Sequence, residues 1–379
     1  MLRKTLAWST AGLLALAVFT ATSGPAAAQP AAPTAIDQMD ATIGSIDGPF
    51  DLLFWSEDRG SGPKIFAKRV RDNGFPVGGP GGGEWRATAA TGTGADAGKT
   101  GAQRYPAFYE GILVWSEQAP GGTDYDIYAQ RLHNNGRPRG NPFLLLDKDG
   151  DQLYPDIIQA DRDYIVVYSE DSTDEGDVMG LRTTTALRPR GEPFPIATGQ
   201  GVAEDPAISR DLQEPRSIFV VLFTFTPDGA ATKDIYGARV VESGLPRGGA
   251  SAIFPVIQSD DVDEYAPELL TSSFTFRGDQ KPRQEQFSNL LLHTRHDAAG
   301  PDGADIYGQR LRSNGFPQGG TFLIAGGTGE QAFATAIEGV SEGWLVAWQD
   351  DADGDLDIHS IKVRRNGIPY LPVRPLAAD

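Results

Sequence analysis

Asp305-Ile306-Tyr307-Gly308-Gln309-Arg310-Leu311, followed by Asn314-Gly315-Phe316-Pro317-Gln318-Gly319, is the stretch on which the fold is read. It recurs as Asp126-Ile127-Tyr128-Ala129-Gln130-Arg131-Leu132 with Asn135-Gly136-Arg137-Pro138. A third copy is Asp234-Ile235-Tyr236-Gly237-Ala238-Arg239 with Gly244-Leu245-Pro246. Weaker copies start at Lys64, Asp177 and Asp357. In every copy a basic residue (Arg69, Arg131, Arg182, Arg239, Arg310, Lys362) precedes a proline by seven positions (Pro76, Pro138, Pro189, Pro246, Pro317, Pro369). A fixed period of this kind marks a repeat architecture.

Working outward, each copy follows a short apolar run: Leu52–Trp55, Ile112–Trp115, Tyr164–Tyr168, Ile218–Phe223, Leu290–Leu292 and Trp344–Trp348. These runs are rich in β-branched and aromatic residues and bounded by Gly, Asp and Ser, which predicts buried strands. The Asp-Ile-Tyr segment is the next strand. Asn-Gly, present in four copies, supplies a tight turn with positive φ. A further strand starts near the proline, where a missing ladder donor is tolerated; Phe143–Leu145, Phe194–Ile196, Phe254–Val256 and Phe322–Ile324 belong to it. A segment ahead of each apolar run, with Tyr105-Pro106, Tyr154-Pro155, Asp205-Pro206 and Tyr265-Ala266-Pro267, is the candidate innermost strand. Four antiparallel strands in six repeats predict an all-β, six-bladed β-propeller over residues 41–379.

Composition agrees. The 379 residues include 46 Gly and 27 Pro, about a fifth of the chain, as a fold with many turns requires. Cys is 0, which excludes disulfides, thiolate zinc, covalent haem and a cysteine nucleophile. A net charge of −18 excludes a binder held by nucleic-acid phosphates. Arg3 and Lys4, an apolar stretch to Ala21, and Ala26-Ala27-Ala28 before Gln29 have the order of a secretory signal. Residues 1–28 are therefore expected to be a signal peptide and 29–40 a flexible leader. Cleavage leaves 351 residues with 31 basic against 51 acidic, no remaining membrane insertion, and a secreted or periplasmic location.

The residues resemble secreted bacterial β-propeller proteins with tandem Asp-Ile-Tyr-Gly-Gln-Arg-Leu repeats. More distantly they are similar to six-bladed TolB-type propellers, whose blades carry an Asp-Ile-Tyr strand. The resemblance covers about residues 41–376. It implies an extracytoplasmic propeller that serves as a binding or scaffolding module.

Candidate chemistry is sparse. Glu57, Glu117, Glu170 and Asp350 end the apolar strands. They are expected to be structural, pairing across hairpins with the repeated basic residues; blades four and five break this position with Phe225 and Arg295. Asp351, Asp353, Asp355 and Asp357 alternate around Gly354, and Asp147, Asp149 and Asp151 alternate around Gly150. Alternating acids about a glycine suit calcium, which takes six to eight oxygens; an acidic solvated turn has the same composition. The four histidines, His133, His293, His296 and His359, lie outside any Gly-x-Ser-x-Gly or His-Glu-x-x-His context. Ser56-Glu57-Asp58-Arg59-Gly60 reads as a hairpin turn. Trp85, in a Gly-rich insertion at Val77–Gly101, is a candidate anchor for a partner, with outer-strand packing as the alternative. The expectation is a propeller without a catalytic site, binding an extracytoplasmic protein or a cell-surface polysaccharide. A calcium-dependent lectin and a glycosidase-type hydrolase are the alternatives.

Overall fold

The computed structural model describes residues 37–377, apart from 46–49, 72, 80–81, 90–100, 162, 172–175, 211–217, 242, 244–245, 250–251, 271–288, 298–302, 340–342, 353, 365–366 and 371. The expected signal peptide and most of the leader lie outside these residues. The first strand begins at Gln38, so Gln38 to Asp40, assigned to the leader from sequence, belong to the propeller.

Six four-stranded antiparallel sheets each run in chain order from inside to outside. Their first strands are Gln38–Ser45, Ala102–Tyr109, Asp151–Ala160, Gly201–Arg210, Asp263–Leu270 and Gln331–Gly339. The apolar runs form the second strands: Phe50–Glu57, Ile112–Gln118, Asp163–Asp171, Ile218–Pro227, Asn289–His296 and Gly343–Asp350. The repeat itself forms the third: Lys64–Arg71, Tyr125–Leu132, Asp177–Thr184, Asp234–Val241, Ala304–Leu311 and Asp357–Arg364. The fourth strands are Trp85–Arg86, Pro138–Leu146, Phe194–Ala197, Phe254–Ile257, Phe322–Ala325 and Arg374–Ala377. Each first strand meets the first strands of both neighbouring blades, and that of blade six meets that of blade one, closing the ring. The chain is a six-bladed β-propeller.

The repeat's fixed register has a direct cause. Each proline bridges the residue after the repeated basic one: Val70 to Pro76, Thr183 to Pro189, Val240 to Pro246, Leu311 to Pro317, Val363 to Pro369, and Leu132 to Pro138. The basic residue reaches further than expected. Arg69 donates to the carbonyl of Asn135, Arg131 to that of Thr185, and Arg239 to that of Asn314. Each of those carbonyls is in the third-to-fourth turn of the next blade. The expected pairing with the acids that end the apolar strands is not what these basic residues make: in blade three Arg182 Nη2 lies 2.7 Å from Oδ2 of Asp163, at the other end of the second strand from Glu170.

The same turns need glycine. Gly136 has φ +79°, and a Cβ there would lie 2.8 Å from Leu52 and Trp85 of the preceding blade. Turn and neighbouring blade thus meet backbone to side chain. Between blades pack the fully buried Trp55, Trp115, Trp348 and Tyr168, as the sequence predicted. Trp55, Trp115 and Trp348 each donate an indole N–H to the acid two residues on, Glu57 (2.7 Å), Glu117 (2.8 Å) and Asp350 (3.1 Å). That satisfies a polar handle that burial would otherwise strand. Blade five inverts the scheme: His293 takes the tryptophan position, Arg295 the acid position, and Glu264 on the first strand supplies the carboxylate. Blade four is apolar there, with Ala203, Phe223 and Phe225.

Candidate functional site: the central channel

One feature of the first strands is shared by all six blades. Asp40, Tyr105, Tyr154, Asp205, Ala266 and Phe333 have φ between 50° and 56°. Each sits where the ladder to the second strand shifts register. Non-glycine residues with positive φ are rare and strained. In blades two to five a proline follows, and a residue before proline is normally extended. The bulge turns these six side chains inward, and all line a cavity of about 570 Å³ that runs along the propeller axis.

The bulges are held in part by the neighbouring blade. Asp205 N donates to Ser169 Oγ (3.1 Å), Ala266 N to Thr224 Oγ1 (3.0 Å), and Phe333 N to Thr294 Oγ1 (3.1 Å). Each acceptor is a buried hydroxyl on the preceding blade's second strand.

The ring is chemically uneven. Its two acids, Asp40 in blade one and Asp205 in blade four, stand on opposite walls of a six-fold ring. Tyr105 and Tyr154 fill one arc between them; on the other Phe333 lines the cavity, with Tyr265 packed against it from outside the lining. Tyr105 and Tyr154 have ring centroids 4.0 Å apart, and Tyr265 and Phe333 6.1 Å apart, edge to face. Burial is the chief reason that the phenols of Tyr105, Tyr154 and Tyr265 are pushed above their ordinary value, so they remain hydrogen-bond donors.

The two acids differ in surroundings. Asp40 is ion-paired with Arg104, whose Nη2 lies 3.1 Å from Oδ1 and whose Nε reaches Oδ2; Arg104 also covers the Tyr105 ring at 4.8 Å. Such a two-point contact fixes the orientation of the carboxylate. Burial pushes the Asp205 carboxyl up to about 7, and the charges of Glu204 and Asp40 add to the rise. Lys233 and the Thr224 hydroxyl, 3.3 Å from Oδ2, pull the other way. Its Oδ1 is buried and carries no hydrogen bond.

A second tier lies one pleat deeper, with Thr42, Ala107, Asp156, Glu268 and Thr335 lining the same cavity. Asp156 accepts the N–H groups of Ile157 (2.7 Å) and, across to blade four, Ile208 (2.8 Å). Burial still raises it to about 6. Burial and the charge of Asp156 push Glu268 up to about 8, against a 3.3 Å hydrogen bond from Thr335 Oγ1. Both acids keep some accessible surface within the cavity, yet protein crowds their remaining sides.

The residues singled out from sequence lie elsewhere. Asp147 and Asp149 are exposed in the link between blades two and three, and Asp151 Oδ1 accepts the N–H of Tyr125 (2.8 Å). Asp351 Oδ1 accepts the N–H of Glu330, Asp355 is half-buried, and Asp357 is buried opposite Asp350 in the ladder. Asp353 lies outside the described residues. Among the described residues, no three acidic or histidine side chains converge on a point that would hold a metal ion. Trp85 is half-buried in the fourth strand of blade one. Its indole N–H donates to Gly136 O (3.1 Å) and Arg137 lies over its ring at 5.3 Å, so it serves inter-blade packing rather than standing out for a partner. It also repeats after all: Trp85 faces Ala67 as Phe143 faces Ala129 and Phe322 faces Gly308. The long insertion hid that equivalence.

Sequence reading placed Asp205 on the innermost strand without a role and passed over Asp40, Asp156 and Glu268. The available signal was the residue before proline, seen in four blades.

No protein-family model matches the chain, and no curated protein matches it. Solved structures do. A Dyadobacter fermentans protein of unknown function superposes with a TM-score of 0.61 at 11% identity, covering 85% of this chain and 93% of that one. Trypanosoma rangeli sialidase gives 0.50 at 9% identity, covering 86% and 54%. Cellvibrio cellulosa alpha-L-arabinanase complexed with arabinohexaose gives 0.43 at 16% identity, covering 75% and 96%. At these identities the likeness is one of fold. The expectation of a propeller without a catalytic site, serving as a binding or scaffold module, is corrected on the channel itself: it sets two carboxyl groups in unlike surroundings on opposite walls, Asp205 raised to about 7 by burial and Asp40 ion-paired with Arg104.

Proposed function

We propose that the protein is a glycoside hydrolase whose active site is the upper tier of the channel. The observation that carries this reading is the opposition of Asp205, a carboxyl raised to about 7, and Asp40, ion-paired with Arg104, across a cavity walled by aromatic rings. Glycoside cleavage needs two such carboxyl groups in unlike environments, one to give a proton and one to act while charged. Asp205, in its neutral form, donates its proton to the glycosidic oxygen as the bond to the anomeric carbon breaks. Asp40, from the opposite wall, stabilises positive charge developing on the sugar and, as the base, takes the proton of the water that adds to the anomeric carbon; solvent then carries that proton away and restores the proton of Asp205. Tyr105, Tyr154 and Phe333 offer flat faces to the C–H faces of a sugar ring, and the phenols offer donors to its hydroxyls. Export, as the N-terminal residues lead one to expect, would bring the enzyme to extracellular polysaccharide.

The test is turnover of a panel of nitrophenyl glycosides and plant and bacterial polysaccharides. Wild type is expected to release reducing sugar from at least one member. Asp205→Asn and Asp40→Asn should lower that rate by about 10²–10⁴-fold with an unchanged circular dichroism spectrum. A rate equal to wild type in both variants would refute the assignment.

A further inference from the structure

The acid pair of the second tier takes no part in the chemistry just described. Asp156 and Glu268 come from blades three and five and flank blade four, directly below Asp205. Among the described residues neither has a cationic partner: their hydrogen bonds come from the N–H groups of Ile157 and Ile208 and from the Thr335 hydroxyl. The cations near the channel are all engaged. Arg104 holds Asp40, Lys233 holds Glu204, Arg295 lies 3.8 Å from Glu264, and Arg210 donates to the carbonyl of Gln159. Arg210, the last residue of its strand, lines the channel and is held by a carbonyl and no acid, whereas the cations beside the two acidic tiers, Arg104 and Lys233, are already paired with acids; there a ligand meets Asp40, Asp205, Asp156 and Glu268.

We propose that Asp156 and Glu268 are specificity-determining residues that admit uncharged sugars and reject those bearing a carboxylate. The proposal rests on the hydrolase reading for its ligand class. A sugar hydroxyl donates to either carboxyl without cost in charge. A uronate or other acidic sugar brings a negative charge into a partly desolvated space already lined by acids, where like-charge juxtaposition is strongly unfavourable. Specificity of this kind is built by repulsion of the wrong ligand as much as attraction of the right one. The rejection is graded by pH. Asp205, facing Glu204, Lys233, Thr224 and Asp40, gains charge above about 7; Glu268, facing Asp156 and Thr335, gains it above about 8.

Ligand pairs that differ in their carboxylates test this on the full chain. Galacto- and galacturono-oligosaccharides of equal length, and xylo-oligosaccharides with and without a glucuronate branch, are titrated by calorimetry. Nitrophenyl β-xyloside and β-glucuronide are followed for turnover. At pH 8.5 the neutral member of each pair is expected to bind at least about tenfold more tightly, a difference of about 1.4 kcal/mol. The gap should shrink at pH 5 and in the double variant Asp156→Asn/Glu268→Gln. Equal or tighter binding of the acidic members, no binding by any member, or an unchanged gap in the double variant overturns the proposal. Preferential binding of neutral sugars without turnover leaves the filter standing and removes the hydrolase reading; turnover of both members alike does the reverse.

Discussion

The hydroxyl of Thr224 lies 3.3 Å from Asp205 Oδ2 and accepts the N–H of Ala266 at 3.0 Å, so one buried side chain joins the acid of blade four to the bulge of blade five. Its O–H favours the charged form of Asp205. Removing it in Thr224→Val should push the Asp205 pKa higher and move the basic limb of the pH–rate profile upward. Thr224→Ser keeps the hydroxyl and should leave the limb in place. Identical limbs in the two variants would show that Thr224 acts through packing alone.

Asp205 also links activity to stability. Its folded-state value of about 7 stands above the unfolded value near 3.9, because burial penalises the charge. The folded chain holds this proton longer than the unfolded chain as pH rises. Its contribution to stability is full below about pH 4 and is lost progressively up to about 7. Asp205→Asn should therefore raise Tm at pH 8 and leave it nearly unchanged at pH 4, while activity is lost at both. A lower Tm at pH 8 would contradict the burial argument.

Tyr105 and Tyr154 form one wall of the site, with ring centroids 4.0 Å apart. Aromatic contacts of this sort are worth about 0.5–1.5 kcal/mol beyond burial. Tyr154→Ala is expected to raise KM for a hydrolysed glycoside by about three- to tenfold, with kcat changed less. A fall confined to kcat would place Tyr154 in the chemistry instead.

Ring closure depends on blades one and six meeting without a shared strand or a disulfide. Lys68, fully buried, donates to the carbonyls of Gly79 (3.2 Å) and of Leu376 in blade six (3.3 Å). Burial lowers its pKa, although Glu84 and Glu57 oppose that. Lys68→Met keeps the aliphatic length and strands the carbonyls. It should destabilise the chain by about 1.5–3 kcal/mol in denaturant titration, and opening should begin at the one-to-six interface by hydrogen exchange.

Gly136 gives the counterpart between blades one and two. Gly136→Ala must accept both a positive φ and a Cβ at 2.8 Å from Leu52 and Trp85. A loss of about 2–4 kcal/mol is expected. The same change at Gly121, also at positive φ but with no atom within 4 Å, should cost less, which separates packing from conformation.

Much of this was legible in the chain. The offset between basic residue and proline marks the same pair of positions in six blades because both are backbone devices. The proline bridges the third strand, and the basic residue, at Arg69, Arg131 and Arg239, holds the next blade's turn. The apolar runs were legible because every blade buries its second strand. The channel positions were not. Asp40, Tyr105, Tyr154, Asp205, Ala266 and Phe333 share a conformation but not a residue type, and two of them lack the following proline. Blade five displaces its aromatic residue, Tyr265, by one position from the bulge, which blurs the alignment further. The alternating aspartates drew attention for composition, yet turns on the rim need Asp and Gly whether or not they hold an ion.

By itself, then, the sequence determined what is repeated: strand order, turn chemistry, the buried Trp or Tyr in four of the blades, and hence the number of blades. Local periodicity carries that information, since each blade meets the same neighbours. Only the tertiary structure decided what is not repeated. Closing the ring sets Asp40 opposite Asp205, 165 residues apart in the chain, pairs the one with Arg104 and buries the other until its carboxyl is raised to about 7. That relation exists nowhere along the chain, because it arises from the six-fold arrangement and from burial on a shared axis.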